Sequence, residues 1–105
     1  MCVIFWVYNK TMRIEFDPNK SMDNERQRGL PFTLVSGFDW DGALVAEDLR
    51  GPYPERRFQA TGMIAYRLYV VIFTPLADGI RVISFRKANF REVKRHGVAE
   101  TKRTG

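Results

Sequence analysis

A chain of 105 residues, 45% of them apolar, is long enough for one small domain with one core and too apolar to be disordered throughout. A single cysteine, Cys2, excludes an internal disulfide, and with a single histidine it leaves almost no ligands for a structural transition metal. The net charge is +5, and it is unevenly placed: from Arg81 onward eight cations face two acids, so the last quarter carries +6 and the remainder is near neutral. A localised excess of this kind suits a phosphate-bearing partner, above all nucleic acid; the plainer alternative is a solvated helix face that keeps the protein soluble.

Residues 1–8 are mostly apolar but too few to span a bilayer, and they lack the basic start and small-residue cleavage site of a secretory signal. A cytoplasmic location is the expectation. The stretch reads either as an extra edge strand or as an extension before a domain that starts at Met12. The expected organisation is therefore an extension over 1–11, a domain over 12–97 and a flexible tail over 98–105.

Residues 12–16 alternate apolar and charged side chains, as a half-buried strand does. Asp17-Pro18 marks a helix start, because the Asp carboxylate accepts a bond from a free backbone N–H and proline has no N–H to leave unpaired in the first turn. The helix should run to about Arg28, where Gly29 takes the left-handed conformation at little cost. Its only apolar residue besides the proline is Met22, so it should lie on the surface. Phe32, Leu34, Val35 and Phe38 approximate one helical face and predict a short second helix over 31–38. Asp41-Gly42 is a turn, 43–47 a strand, and 50–55, with Gly51, Pro52 and Pro54, a loop.

Three β segments follow. Residues 57–63 alternate, with Phe58, Ala60 and Gly62 on one face. Residues 66–73 hold a continuous apolar run from Leu68 to Phe73, which predicts a strand covered on both faces. Asp78-Gly79 closes a hairpin, and 80–85 is the partner strand. Asn89 can cap a last helix, with Glu92 three residues later completing a capping box. That helix should run from about Phe90 to His96 and stop at Gly97. The order predicts an α+β fold: an antiparallel meander sheet, with two N-terminal helices and one C-terminal helix packed on one face.

The basic stretch around the last strand carries the candidate chemistry. A strict period of two puts Val82, Ser84 and Arg86 on one face and Arg81, Ile83 and Phe85 on the other. Both arginines can serve one site only if the strand twists, bulges or ends before Arg86. Lys87 precedes Arg91 by four residues, and Arg91, Lys94 and Arg95 share a helix face at i, i+3 and i+4. These groups read as a phosphate-binding rim, or else as a solvated face with Arg86 paired to an acid. In Glu55-Arg56-Arg57-Phe58, Arg57 can hold phosphate bidentately and Glu55 can serve as a base or orient an arginine. The bland alternative is an ordinary strand start with a surface ion pair. His96 alone titrates near neutrality when unperturbed, and is either a catalyst or a favourable partner of the helix dipole. Phe58, Tyr69, Phe73, Phe85 and Phe90 occupy positions that the core needs, whereas Trp40 and Tyr53, in turns, are freer to contact a partner. The sequence has no Walker loop, G-x-G-x-x-G, G-x-S-x-G or H-E-x-x-H.

Taken together, these segments resemble the BrnT family, toxins of type II toxin–antitoxin systems within the RelE/ParE-like superfamily. The resemblance runs from about Arg13 to His96. It rests on Ile14-Glu15-Phe16-Asp17-Pro18-Asn19-Lys20, on Glu55-Arg56-Arg57-Phe58, on Leu68-Tyr69-Val70-Val71, and most specifically on Ile80 through Ala88 followed by Arg91-Glu92. The chain departs from the family pattern at Gln27-Arg28-Gly29 and at Arg95-His96, and residues 1–11 have no counterpart.

The resemblance implies a RelE-like fold and a metal-independent endoribonuclease that restrains translation and growth. It implies no cofactor, an RNA substrate, and a cognate DNA-binding antitoxin of the BrnA kind in a 2:2 complex that represses its own promoter. The family's basic functional positions map onto Arg57, Arg81, Arg86 and Lys87. With Glu55 or His96 as acid or base, the expected catalytic set is Arg57, Arg81, Arg86, Glu55 and His96. Lys87, Arg91, Lys94 and Arg95 would bind flanking nucleic acid, and no residue would bind a metal. Two other functions fit the same basic surface: a non-catalytic protein-binding module of the ParE kind, and a simple nucleic-acid-binding domain.

Overall fold

Asp17 and Gly29 bound the first helix by the chemistry expected of them. In the computed structural model, which describes residues 2–7 and 10–96 and side chains from residue 12 onward, helix α1 spans Pro18–Arg28. The Asp17 carboxylate accepts the Asn19 N–H at 2.9 Å, and Gly29 stands at φ 72° with its N–H donated to the Glu25 carbonyl. The helix has almost no apolar face, and polar contacts tie it down. Ser21 Oγ accepts the Phe32 N–H at 2.9 Å, and the Asn24 amide donates to the Leu30 and Phe85 carbonyls at 2.7 and 2.9 Å. The expected stop at Gly97 and the tail from 98 lie outside the described residues.

The predicted second helix is a 3-10 helix, Phe32–Gly37. Three residues per turn align Phe32, Val35 and Phe38, all buried, and turn Leu34 outward. Apolar spacing does not distinguish this tighter winding from an α-helix.

The strands are β1 (Cys2–Val7), β2 (Lys10–Glu15), β3 (Leu44–Glu47), β4 (Phe58–Ile64), β5 (Arg67–Leu76) and β6 (Gly79–Lys87). They form one sheet in the order β1-β2-β6-β5-β4-β3. Strands β3 to β6 are the expected meander. The sheet is mixed, however, because β2 runs parallel to β6, with Ile14 beside Ile80 and Glu15 beside Arg81. A parallel neighbour needs a long crossover, and the whole middle of the chain supplies it. Contact there is close: a Cβ on Gly79 would collide with the Arg13 backbone. Strand β1 lies antiparallel to β2 at one edge, and β3 forms the other.

The helices do not share one face, as expected from sequence, but divide between two. The core cluster of Ile14, Phe16, Leu30, Phe32, Val35, Phe38, Ala60, Val71, Phe73, Ile80, Val82 and Phe85 lies under α1 and the 3-10 helix. Helix α2 (Phe90–His96) folds back over the opposite face, where Glu92 is buried. Strand β5 is therefore covered on both sides, and Val70 and Val71, on opposite faces, are both 0% exposed. Each such burial stabilises by ~1.5–3 kcal/mol. Two aromatics depart from expectation. Trp40 packs against Phe38 and Phe73 at ring distances of 4.6 and 5.4 Å. Phe90, expected in the core, is 75% exposed, because the sheet-facing side of α2 begins at Glu92.

Gly62 sits where the Phe38 ring presses on β4, and a Cβ there would stand 2.7 Å from Phe38 Cζ and 3.1 Å from Ala43 Cβ. Neither neighbour is a flexible chain end. Gly62→Ala is expected to lower unfolding free energy by ~1–3 kcal/mol in urea titrations, although alanine is ordinarily the better strand residue.

Candidate nucleic-acid interface

The register of β5 and β6 decides which cations meet. Tyr69, Val70, Val71 and Ile72 pair with Lys87, Arg86, Phe85 and Ser84, but Phe73 pairs with Val82 and Thr74 with Arg81. Ile83 is thus an extra residue, a β-bulge. The bulge reverses the alternation of β6 between Val82 and Ser84. Val82 and Phe85 both stay in the core, while Arg81, Ser84 and Arg86 come to one face, the side covered by α2. Strict period two had separated the two arginines; the bulge joins them.

Three cross-strand rows line this face. Glu15, Arg81 and Thr74 form the first, and Arg57 continues it, since the Asp48 N–H bonds the Arg57 carbonyl at 2.7 Å and extends the β3–β4 ladder by one pair. Ser84, Ile72, Gln59 and Ala46 form the second, and Arg86, Val70, Thr61 and Leu44 the third. Arg81 and Arg86 are therefore four β5 residues apart, or about 13 Å along the strand.

Each arginine has a distinct environment. Arg81 Nε donates to Glu15 Oε1 at 2.7 Å, and this hydrogen bond is the main cause that holds the Glu15 carboxyl below its ordinary range. Arg57 lies over the Tyr53 ring, 4.4 Å from its centroid, and its Nε is sealed from solvent without a hydrogen-bond partner. Tyr53 in turn donates to Asp48, which also accepts three bonds from Arg50, through the backbone N–H (3.1 Å), Nε (2.9 Å) and Nη2 (2.8 Å). These bonds hold Asp48 well below the usual carboxylate range. Arg50 stands near enough to Arg86 for the two charges to oppose each other. Glu55 accepts from Thr74 Oγ1 at 3.5 Å, which places it beside the first row.

Arg86 is the most constrained. Its Nη1 and Nη2 bond both oxygens of Glu92, at 2.8 and 2.9 Å. The same carboxylate accepts the Asn89 N–H at 2.8 Å, and the Glu92 N–H donates to Asn89 Oδ1 at 2.9 Å, so the capping box is formed as expected. One carboxylate both starts α2 and anchors it to β6.

The other expected site residues are dispersed. Lys87 pairs with Tyr69 and lies on the α1 side, away from Arg81 and Arg86. Arg91 and Lys94 are exposed on the outer side of α2, with Lys94 Nζ 5.4 Å from the Phe90 ring centroid. Arg95 and His96 instead line a cavity between α2 and the β3–β4 edge, and His96 Nδ1 is buried without a partner. Sequence reasoning missed Asp48 and Arg50, whose only signal was an Asp-x-Arg before Gly51-Pro52. It also missed Glu15 as partner to Arg81, because a parallel pairing leaves no local trace. Among the described residues no group of three His, Cys, Asp or Glu could hold a metal ion, and no helix is long and apolar enough to cross a membrane.

Hydrogen bonds from Arg86, opposed by burial, hold the Glu92 carboxyl below its ordinary value of 4.5. A carboxyl whose folded pKa is depressed stabilises fully above the unfolded value and loses that contribution as pH falls through the folded one. Arg86 is 34% and Glu92 10% exposed, so solvent weakens the pair somewhat. Arg86→Ala should therefore cost ~1–3 kcal/mol at pH 7. Urea midpoints measured from pH 7 down to pH 3 should fall more steeply below pH 4.5 in the wild type than in Glu92→Gln.

A basic sheet face under a short helix does not by itself distinguish an RNA-binding toxin from other basic domains. The comparison with protein families does. A family model described as the ribonuclease toxin BrnT of type II toxin–antitoxin systems matches residues 16–92, a span that takes in α1, the bulged β6 and the Arg86–Glu92 pair. No curated protein and no solved structure matches the chain. With well over half of its length matched, the chain belongs to the BrnT family of ribonuclease toxins of type II toxin–antitoxin systems.

Proposed function

We propose that this toxin is a metal-independent endoribonuclease whose cleavage site is the first cross-strand row, where Arg57, Arg81 and Glu55 come together. The observation that carries the reading is the bulge at Ile83, which sets Arg81 on the same face as Arg57, Glu55 and Arg86. An RNA 2′-hydroxyl gives its proton to Glu55, its oxygen bonds the adjacent phosphorus, and the bond to the 5′ oxygen breaks. The leaving oxygen takes a proton from solvent. The products are a 2′,3′-cyclic phosphate and a 5′-hydroxyl end. Negative charge grows on the non-bridging oxygens, and the guanidinium groups of Arg57 and Arg81 stabilise it.

Arg81 reaches its substrate by exchanging the Glu15 carboxylate for a phosphate. The Arg81 side chain is 43% exposed, so that exchange needs no unfolding. Arg57 stands beside the same row with its guanidinium held over the Tyr53 ring. Arg86 plays a different part: tied to Glu92, it holds α2 in place and adds the cationic rim on which Arg91, Lys94 and Arg95 steer the flanking strand. Lys87, on the far side of the sheet, takes no part.

A type II system pairs its toxin with a protein antitoxin, and here that partner is proposed to be a DNA-binding protein of the BrnA kind in a 2:2 complex that covers this face. Cleavage of cytoplasmic RNA would then restrain translation and growth once the antitoxin is lost.

Purified protein should cut RNA in the presence of EDTA and leave cyclic-phosphate ends. Arg81→Gln, which removes no core group, should cut ~10²–10³-fold more slowly while the protein stays folded, the lost Glu15 pair costing at most about 1 kcal/mol in urea titrations. Intact RNA at micromolar protein, or full activity in a folded Arg81→Gln, would contradict the assignment.

A further inference from the structure

The cavity between α2 and the β3–β4 edge measures about 200 Å³, and Leu44, Ala46, Gln59, Thr61, Arg95 and His96 line it. This is smaller than the ~300–1,000 Å³ typical of pockets for drug-sized ligands. Its walls are of two kinds. Leu44 and Ala46 are apolar. Gln59 presents an amide and Thr61 a hydroxyl, each both donor and acceptor, and neither side chain makes a hydrogen bond among the described residues. The imidazole of His96 also lines the cavity, although its Nδ1 is sealed from solvent and offers an occupant no bond.

That combination discriminates between occupants. An apolar side chain from a partner protein would desolvate both polar groups and satisfy neither. A planar heterocycle with donors and acceptors along its edge pairs with both and rests its face on Leu44 and Ala46. Glu92 also lines the cavity, but Arg86 neutralises its carboxylate, and with Arg95 at the cavity and Arg50 close to Arg86 a ligand bearing phosphate still meets a net cationic surround. The cavity is also continuous with the interface, because Gln59 and Thr61 belong to the second and third cross-strand rows.

We propose that this cavity is a nucleobase subsite that selects a base of the RNA beside the cleaved bond. The inference rests on the ribonuclease reading for its place in a reaction, but binding is measurable without cleavage. The chain contains one histidine, so the imidazole proton resonances in an NMR spectrum report on His96 alone. The full chain is titrated with the 5′-monophosphates of adenosine, guanosine, cytidine and uridine, and with ribose 5-phosphate as a probe without a base. At least one nucleotide should move the His96 signals saturably while ribose 5-phosphate does not. Gln59→Leu and Thr61→Val, both volume-conserving in a strand, should each weaken that nucleotide about five- to tenfold. In an RNA digest the same variants should relax the base preference at the cut.

The proposal is overturned if no nucleotide moves the His96 signals at millimolar concentration, which is also the result for a cavity that receives an antitoxin side chain. It is equally overturned if ribose 5-phosphate moves them as far, or if both variants bind like the wild type. Saturable binding of a base by a protein that leaves RNA intact would sink the ribonuclease reading and leave the subsite standing.

Discussion

One inserted residue organises this toxin. With Ile83 bulged out of the β5–β6 ladder, β6 keeps Val82 and Phe85 in the core and still presents Arg81, Ser84 and Arg86 on the opposite side. Without the bulge, strict alternation would turn Arg86 toward the core and Phe85 out of it, or Arg81 toward the core and Val82 out of it, and both are costly. The apolar residues settle the matter, because Phe85 is fully buried beneath the α1 side and Val82 nearly so. The cations on the other face are therefore placed by the packing of the core behind them.

Helix α2 depends on that placement. It has seven residues, too few to persist in isolation. Glu92 makes it possible by joining Arg86 on the sheet to the Asn89 cap at its own first turn. The helix then roofs part of the sheet and leaves the cavity at its C-terminal end. In the proposed site Arg86 therefore acts on shape, and the exposed Arg81 and the stacked Arg57 are the groups proposed to meet a phosphate. Three carboxylates each pair with an arginine on this face. Glu15, Asp48 and Glu92 each hold an arginine in a defined geometry.

Much of the fold was legible locally. Asp17-Pro18 and Gly29 fixed α1, Asn89 and Glu92 announced the capping box, and the run from Leu68 to Phe73 marked a strand buried on both faces. These signals work because capping, left-handed glycine and burial act over a few residues. The 3-10 winding of Phe32–Gly37 was not legible, since two helix types bury nearly the same residues there. Of the site, Arg57, Arg81, Glu55 and Arg86 were picked out as charged side chains in a basic context, and Arg91, Lys94 and Arg95 as a basic helix. Their grouping was not.

By itself the sequence determined the ends of α1 and the start of α2, the excess of positive charge toward the C-terminus and the family resemblance, because each is written in residue types and spacings. Only the tertiary structure decided that β2 lies parallel to β6, so that Glu15 meets Arg81, that the helices take opposite faces, that Lys87 faces away from the other cations, and that Arg86 is committed to Glu92. The reason is physical. Pairings between residues sixty positions apart, and a register shift forced by close packing, are set by the competition of all core side chains for one interior, and no local pattern in the chain encodes them.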